Sequence, residues 1–395
     1  VSHSIQCRGF QAAGIAAGIK KNQLPDLGLI YTPQPAVAAG VFTRNKVQAA
    51  PVQVTRRHIS NGRACAVIVN SGNANCCTGD QGEKDAQSMI RMTASGLGIS
   101  PEQVMVASTG VIGAYLPMDK IEAAGPRLMS ALRPDGFQDF SQAIMTTDKV
   151  PKLIRREGEM DGRRFTLMAV AKGAGMIRPD MATMLCFVCT DADISHPVLQ
   201  QALNEAVDRS LNCITIDGDT STNDMVLAMA NGQSGVKIET AEQRESFQEL
   251  LGDLLEEMAR RLVQDGEGVT KVVDIRIEGA ASDKDAYRVA DTVAHSPLVK
   301  TAFFGEDANW GRIIAAVGRS GAWMDPTQID IYFDDVPMVQ KGCGCGPEAE
   351  ARATAVLQKP TFSVVIALHQ GTGSARILTS DFSVEYVKIN ADYRS

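Results

Sequence analysis

Residues Lys172-Gly173-Ala174-Gly175-Met176-Ile177-Arg178-Pro179-Asp180-Met181-Ala182-Thr183-Met184-Leu185 combine a cation, a glycine-rich bend and a threonine where an apolar run resumes. The flanking residues 165–171 and 184–190 are short, apolar and strand-like. Gly173, Gly175 and Pro179 between them demand a bent backbone rather than a helix. An internal threonine hydroxyl is a poor nucleophile. If it attacks the carbonyl of Ala182, however, the peptide bond shifts to an ester, and hydrolysis leaves Thr183 as a new N-terminus. Its α-amine, with an ordinary pKa of about 7.7–8.0, is partly unprotonated near neutral pH and can act as general base for the adjacent hydroxyl. One residue then supplies both nucleophile and base, the chemistry of acyl transfer.

The segment resembles that of the glutamate N-acetyltransferases, or ornithine acetyltransferases, of arginine biosynthesis, which reads K-G-S-G-M-I-x-P-N-M-A-T-M-L and is cut between Ala and Thr. Asn70-Ser71-Gly72-Asn73-Ala74-Asn75, Ala107-Ser108-Thr109-Gly110-Val111-Ile112-Gly113, Met145-Thr146-Thr147-Asp148 and Asp217-Gly218-Asp219-Thr220-Ser221-Thr222-Asn223-Asp224 are similar to further family segments. So are Asp265-Gly266-Glu267-Gly268, Asn309-Trp310-Gly311-Arg312 and Tyr386-Val387-Lys388-Ile389-Asn390-Ala391-Asp392-Tyr393. The likeness runs in order along essentially the whole chain. Ala174 and Asp180 stand where the family has Ser and Asn, and Leu378-Thr379-Ser380 replaces a Trp-containing run. None of these changes removes a catalytic group, although Asp180 bears on the rate of self-cleavage.

Acyl transfer also needs donors aimed at the oxyanion of the tetrahedral intermediate. Thr109-Gly110 follows an apolar run at a turn, where a hydroxyl or backbone N–H can point outward; taken alone, that pattern also fits an ordinary turn. The resemblance assigns the pair to the oxyanion hole. It also implies acetylornithine as donor and glutamate as acceptor, both bearing an α-carboxylate. Lys172, on the same loop as the nucleophile, is the candidate cation for that carboxylate. Glu267, between two glycines, is a candidate for the ornithine ammonium or for proton transfer. By resemblance Thr147, Asn390 and Ser395 complete the pocket with Thr183. Acetyl-CoA is a possible second donor, and no other cofactor is implied.

Other motifs carry less. Cys186-Phe187-Val188-Cys189 has C-x-x-C spacing, but positions i and i+3 of a strand face opposite ways, so core cysteines are the better reading than a metal site. Cys343-Gly344-Cys345 has no second cysteine pair or histidine cluster beside it. None of His3, His58, His196, His295 and His369 forms a Ser-His-Asp pattern. The loop 217–224 lacks the central glycine and closing glutamate of a calcium loop and reads as capped turns. No dinucleotide or Walker motif is present, and no metal is expected.

A net charge of −7 without a long basic run argues against a nucleic-acid groove or a polybasic membrane patch. Nine cysteines at irregular spacing, with Cys76-Cys77 adjacent, argue against a secreted disulfide framework and for a reducing cytoplasm. The apolar stretch 12–19 does not read as a signal peptide, and no run approaches the roughly 20 apolar residues of a membrane span.

The elements that must position these groups alternate between types. Runs at 64–69, 104–107 and 361–368 are β-like. The clearest helix spans 241–264, where Phe247, Leu250, Leu251, Leu254, Leu255, Met258 and Leu262 recur every three or four residues, with Thr240 as N-cap and Asp265-Gly266 as stop. A second helix is expected over 197–210, capped by Ser195. At 395 residues, 44% of them hydrophobic, the chain is long for one core and suits two lobes. The fold class is α/β. The resemblance implies a layered αββα-type architecture related to self-processing aminopeptidases, an α chain of residues 1–182, a β chain of 183–395, and an α2β2 heterotetramer of the two. The activity the resemblance implies is ping-pong acetyl transfer. A self-processed amidase or aminopeptidase and a catalytically idle amino-acid-binding protein are the alternatives.

Overall fold

Residues 6–178 and 184–392 are described by the computed structural model. They form two compact units, one of residues up to 212 with 219–262, the other of 213–218 with residues from 263 onward.

The first unit contains β1 (Gln11–Ile15), β2 (Leu27–Phe42), α1 (Ala50–His58), β3 (Arg63–Asn73), α2 (Gly79–Leu97), β4 (Val104–Val111), α3 (Met118–Ser130), α4 (Phe137–Ala143), β5 (Lys152–Met160) and β6 (Arg163–Lys172). After these come β7 (Leu185–Thr190), β8 (Asp193–Ile194), α5 (His196–Arg209), β9 (Met225–Ala230), β10 (Lys237–Ile238) and α6 (Ala241–Gln264). Eight strands make one sheet in the order β4-β3-β2-β9-β7-β6-β5, with β1 also paired to β2; β8 and β10 form a small parallel pair.

Strand β2 is the hinge of this sheet. Its first half pairs with β1 and β3, its second half with β9, and the β2–β3 register shifts between Tyr31 and Ala36. Pro33 and Pro35 lie in that interval; without an N–H they cannot extend the ladder, so the strand bends there. The inner faces of the two half-sheets share one core, in which Ile30, Val67 and Met105 join Met168, Phe187 and Leu227. The outer face of the first half is covered by α2 and α3 through Met89, Ile90, Ile121 and Leu128. Outside the second half, Phe247 of α6 stacks on Phe165 of β6 at 6.0 Å, and Gln200 of α5 bonds both the N–H and the carbonyl of Gly40. The layers are α/β/β/α.

Helix α6 spans the expected residues, and Thr240 and Gln243 cap it reciprocally at 3.2 and 3.0 Å. Ser195 occupies the N-cap position of α5, but its side chain makes no capping bond; Pro197 at the start of the helix removes one of the donors a cap would serve. Cys186 and Cys189 are both buried in β7, and Cys189 alone of the two belongs to the inner core. Burial pushes the Cys186 thiol up to about 12.

The second unit holds β11 (Val272–Ala280), α7 (Asp283–Ala294), α8 (Pro297–Phe304), α9 (Trp310–Gly318), β12 (Asp330–Phe333), β13 (Val336–Gln340), β14 (Cys343–Gly344), α10 (Pro347–Leu357), β15 (Thr361–Ala367), β16 (Gly373–Ser380) and α11 (Val384–Asp392). Its sheet runs β14-β13-β12-β15-β11-β16. The alternation along β11 sorts its faces: Val273, Ile275 and Ile277 pack under α7, α8, α9 and α10, whereas Asp274 on the other face binds Arg276 and Arg376 at 2.8 Å each.

Candidate active site

Thr109 and Gly110 lie within the end of β4 rather than at the turn expected from the sequence, because β4 continues to Val111; its parallel pairing with β3 is irregular at Gly72 and Asn73. Gly110 adopts φ +134°; a Cβ there would lie 2.5 Å from the Asn73 nitrogen and overlap the carbonyl carbon of Gly72. Only glycine lets the two backbones approach so closely. Thr109, beside it, is buried.

Lys172, the last residue of β6, is also buried, and its ammonium donates to Thr146 Oγ1 at 2.7 Å and Thr109 Oγ1 at 3.3 Å. A buried cation needs a counter-charge. Asp148 supplies it: Oδ2 lies 4.0 Å from Lys172 Nζ, and Oδ1 accepts from Lys152 Nζ at 2.7 Å. Oδ1 also accepts the Gly173 N–H at 2.7 Å, and Oδ2 the Thr146 N–H at 3.0 Å. Burial alone would raise the Asp148 carboxyl. The Lys172 and Lys152 charges and these bonds outweigh it and hold the group at about 2. The sequence had nominated Thr147 from this turn. Thr147 is half-buried in the same turn, while its neighbour Thr146 supplies the hydroxyl bonded to Lys172.

One cation escaped the sequence reading. Lys20, between β1 and β2, donates to the carbonyls of Met145 and Pro25 at 2.7 and 2.8 Å. Burial, reinforced by the charge of Lys172 and opposed by Asp26 and Asp148, brings its ammonium down to about 8. Its place in a polar stretch with Lys21 and Asn22 gave no signal apart from its charge.

In the second unit Glu267 is buried, and its Oε2 accepts from Asn390 Nδ2 of α11 at 2.8 Å. Gly268, at φ +68°, makes room for α11: a Cβ would overlap the Tyr386 nitrogen, and the Gly268 carbonyl accepts from Ser383 Oγ at 2.6 Å. The structure thus joins Thr109, Gly110 and Lys172 in one unit, and Glu267 and Asn390 in the other. Ala182, Thr183 and Ser395 fall outside the described residues, but the strands around the cleavage segment do not. Strands β6 and β7 are antiparallel neighbours, and Lys172 pairs with Leu185.

All nine cysteines are free thiols. Cys343 and Cys345 are exposed at β14, and among the described residues no group of three or more His, Cys, Asp or Glu side chains is arranged to hold a metal ion. No helix among them is long and apolar enough to cross a membrane.

What this arrangement offers is a hydroxyl and a backbone N–H at the end of a strand beside a buried ammonium, a donor set suited to a developing oxyanion. Comparison with known proteins identifies the family. The ArgJ family model matches residues 11–395. The arginine biosynthesis bifunctional protein ArgJ of Syntrophotalea carbinolica is 54% identical over 394 residues, 99% of this chain and 100% of the relative. That of Geobacter sulfurreducens is 50% identical over 390 residues, covering 98% of this chain and 99% of the relative. The crystal structure of the arginine biosynthesis bifunctional protein ArgJ from Bacillus halodurans is similar at 40% identity and a TM-score of 0.50, covering 52% of this chain and 98% of that one. With its motifs in order along almost its full length, the chain belongs to the ArgJ family and is an acyltransferase.

Proposed function

We propose that the chain cuts itself between Ala182 and Thr183 and then moves an acetyl group from N2-acetyl-L-ornithine to L-glutamate through an ester on Thr183. The Thr183 hydroxyl attacks the acetyl carbonyl while its proton passes to the Thr183 α-amine. Thr109 and Gly110 hold the resulting oxyanion, with the Lys172 ammonium behind the Thr109 hydroxyl. Collapse breaks the C–N bond, and the proton held by the α-amine leaves with ornithine. The glutamate amine then attacks the ester carbonyl and gives up a proton to the Thr183 α-amine, a C–N bond forms, the C–O bond to Thr183 breaks, that proton returns to the Thr183 oxygen, and N-acetyl-L-glutamate departs. Glu267, with Asn390, receives the ammonium of the substrate side chain. Thr147 and Ser395 complete the pocket.

The observation that carries this reading is the pairing of Lys172 with Leu185. Thr183 precedes Leu185 by two residues, a length of chain that spans at most about 7 Å. Leu185 thus begins β7 at the end of the sheet where Lys172 meets Thr109, which supports this reading. No cofactor is required, acetyl-CoA is a candidate second donor for glutamate, and the processed chains assemble as α2β2. Nine free thiols support a reducing compartment, the cytoplasm.

Incubation with acetylornithine alone should place one acetyl group on the fragment that begins at Thr183, and initial rates should give parallel double-reciprocal lines. Intersecting lines with no acetylated fragment after rapid quench would replace the ester with direct transfer in a ternary complex. Ornithine release at the full rate without glutamate would make the protein an amidase. Replacing acetylornithine with acetyl-CoA tests the second donor.

A further inference from the structure

The last two side chains of the loop 217–224, Asn223 and Asp224, are buried, and each grips a different part of the candidate site. Asn223 Nδ2 donates to the carbonyls of Ser108 at 2.8 Å and Ala74 at 2.6 Å. Ser108 immediately precedes Thr109, so one of these bonds fixes the peptide leading into the Thr109–Gly110 pair. Asp224 Oδ1 accepts the Met184 N–H at 3.0 Å, and that nitrogen is the amide joined to the carbonyl of Thr183. Both residues are themselves clamped. The Asn223 N–H donates to Ser221 Oγ, its Oδ1 accepts from the Thr222 hydroxyl, and the Asp224 carbonyl accepts the Thr43 N–H. The other carboxyl oxygen of Asp224 is buried with no hydrogen-bond partner among the described residues. An ionised carboxylate would be costly there, and burial drives the Asp224 carboxyl well above the usual range.

We propose that Asn223 and Asp224 are positioning residues that set the separation between the Thr109–Gly110 end of β4 and the chain that resumes at Met184, Asn223 through the Ser108 carbonyl and Asp224 through the Met184 amide. The inference rests on the assignment of Thr183 as nucleophile. Two neighbours on one backbone act as a short ruler. Acyl transfer is sensitive to such a length, since a displacement of about 1 Å can cost roughly a hundredfold in rate.

The test compares Asp224→Ala, Asp224→Asn and Asn223→Asp in the full chain, reading self-cleavage by intact mass and acetyl transfer by kcat and KM. Asp224→Ala should slow both reactions by about tenfold or more, with kcat falling and KM changing little. Asp224→Asn keeps a side-chain oxygen that can accept the Met184 N–H and should recover both rates to within about threefold of the parent. Asn223→Asp turns a carboxylate toward two carbonyls and should behave like Asp224→Ala. If Asp224→Ala cleaves and turns over at the parental rate, or if a folded Asp224→Asn is as impaired as Asp224→Ala, the ruler is wrong. A parent that never cleaves but transfers acetyl groups would instead remove the self-cleavage reading, and the kcat comparison would still decide the role of Asp224.

Discussion

Lys172 was nominated from the sequence for an α-carboxylate, a contact present in ground and transition states alike that would appear in KM. Its ammonium donates to Thr109 Oγ1, so in the proposed mechanism it would also polarise the hydroxyl assigned to the oxyanion. Thr109→Ala should lower kcat by roughly 100- to 1,000-fold with little change in KM, because the donor meets its full charge only in the tetrahedral intermediate. Lys172→Ala should lower kcat and also raise KM. The check is steady-state kinetics on variants shown by mass to have self-cleaved normally. Parental turnover by Thr109→Ala would leave only the Gly110 N–H as donor, and an unchanged kcat in Lys172→Ala would return Lys172 to substrate binding alone.

At the scale of elements, what could be read in the sequence was whatever depends on local order. The 241–264 helix was legible because its apolar spacing and both ends agree, and the strands at 165–171 and 184–190 because their runs are bounded by glycine and proline. Asp148 was not legible as an anchor, because its partners Lys152 on one side and Lys172 with Gly173 on the other come from two places that only the β5–β6 pairing brings together. The same holds for Lys20 and for the Asn223–Ser108 bond. Asp148 ties its own turn to the start of β5 and the end of β6, and this gives a pH prediction. Its folded pKa, about 2, lies below its ordinary value of 3.8, so its contribution to stability is complete above that ordinary value and is lost as pH falls toward 2. The shift corresponds to on the order of 2 kcal/mol. Asp148→Asn should therefore lose about that much at pH 7 in urea unfolding and differ less from the parent near pH 3. An equal deficit at both pH values would mean that the charge of Asp148 is not what anchors the turn.

At the scale of the molecule, the proposed cut does not coincide with the boundary between the two compact units. The described residues on both sides of the cleavage segment, up to 178 and from 184 to 212, belong to the first unit. Strands β1 to β6 of its eight-stranded sheet come from the proposed α chain, β7 and β9 from the β chain, and six residue pairs join β6 to β7. The inner core is likewise shared, with Met168 and Val170 on one side of the cut and Phe187 and Leu227 on the other. Cleavage of one peptide bond removes none of these contacts, and neither fragment alone can close the sheet or the core. The processed protein should therefore elute as one species containing both fragments in native size-exclusion chromatography and resolve into residues 1–182 and 183–395 only under denaturing conditions. Thr183→Ala should elute in the same position as a single uncut chain. Separation of the parental fragments without denaturant would show that the β6–β7 ladder does not hold them, and an N-terminal sequence that begins elsewhere than Thr183 in active enzyme would remove Thr183 as the nucleophile.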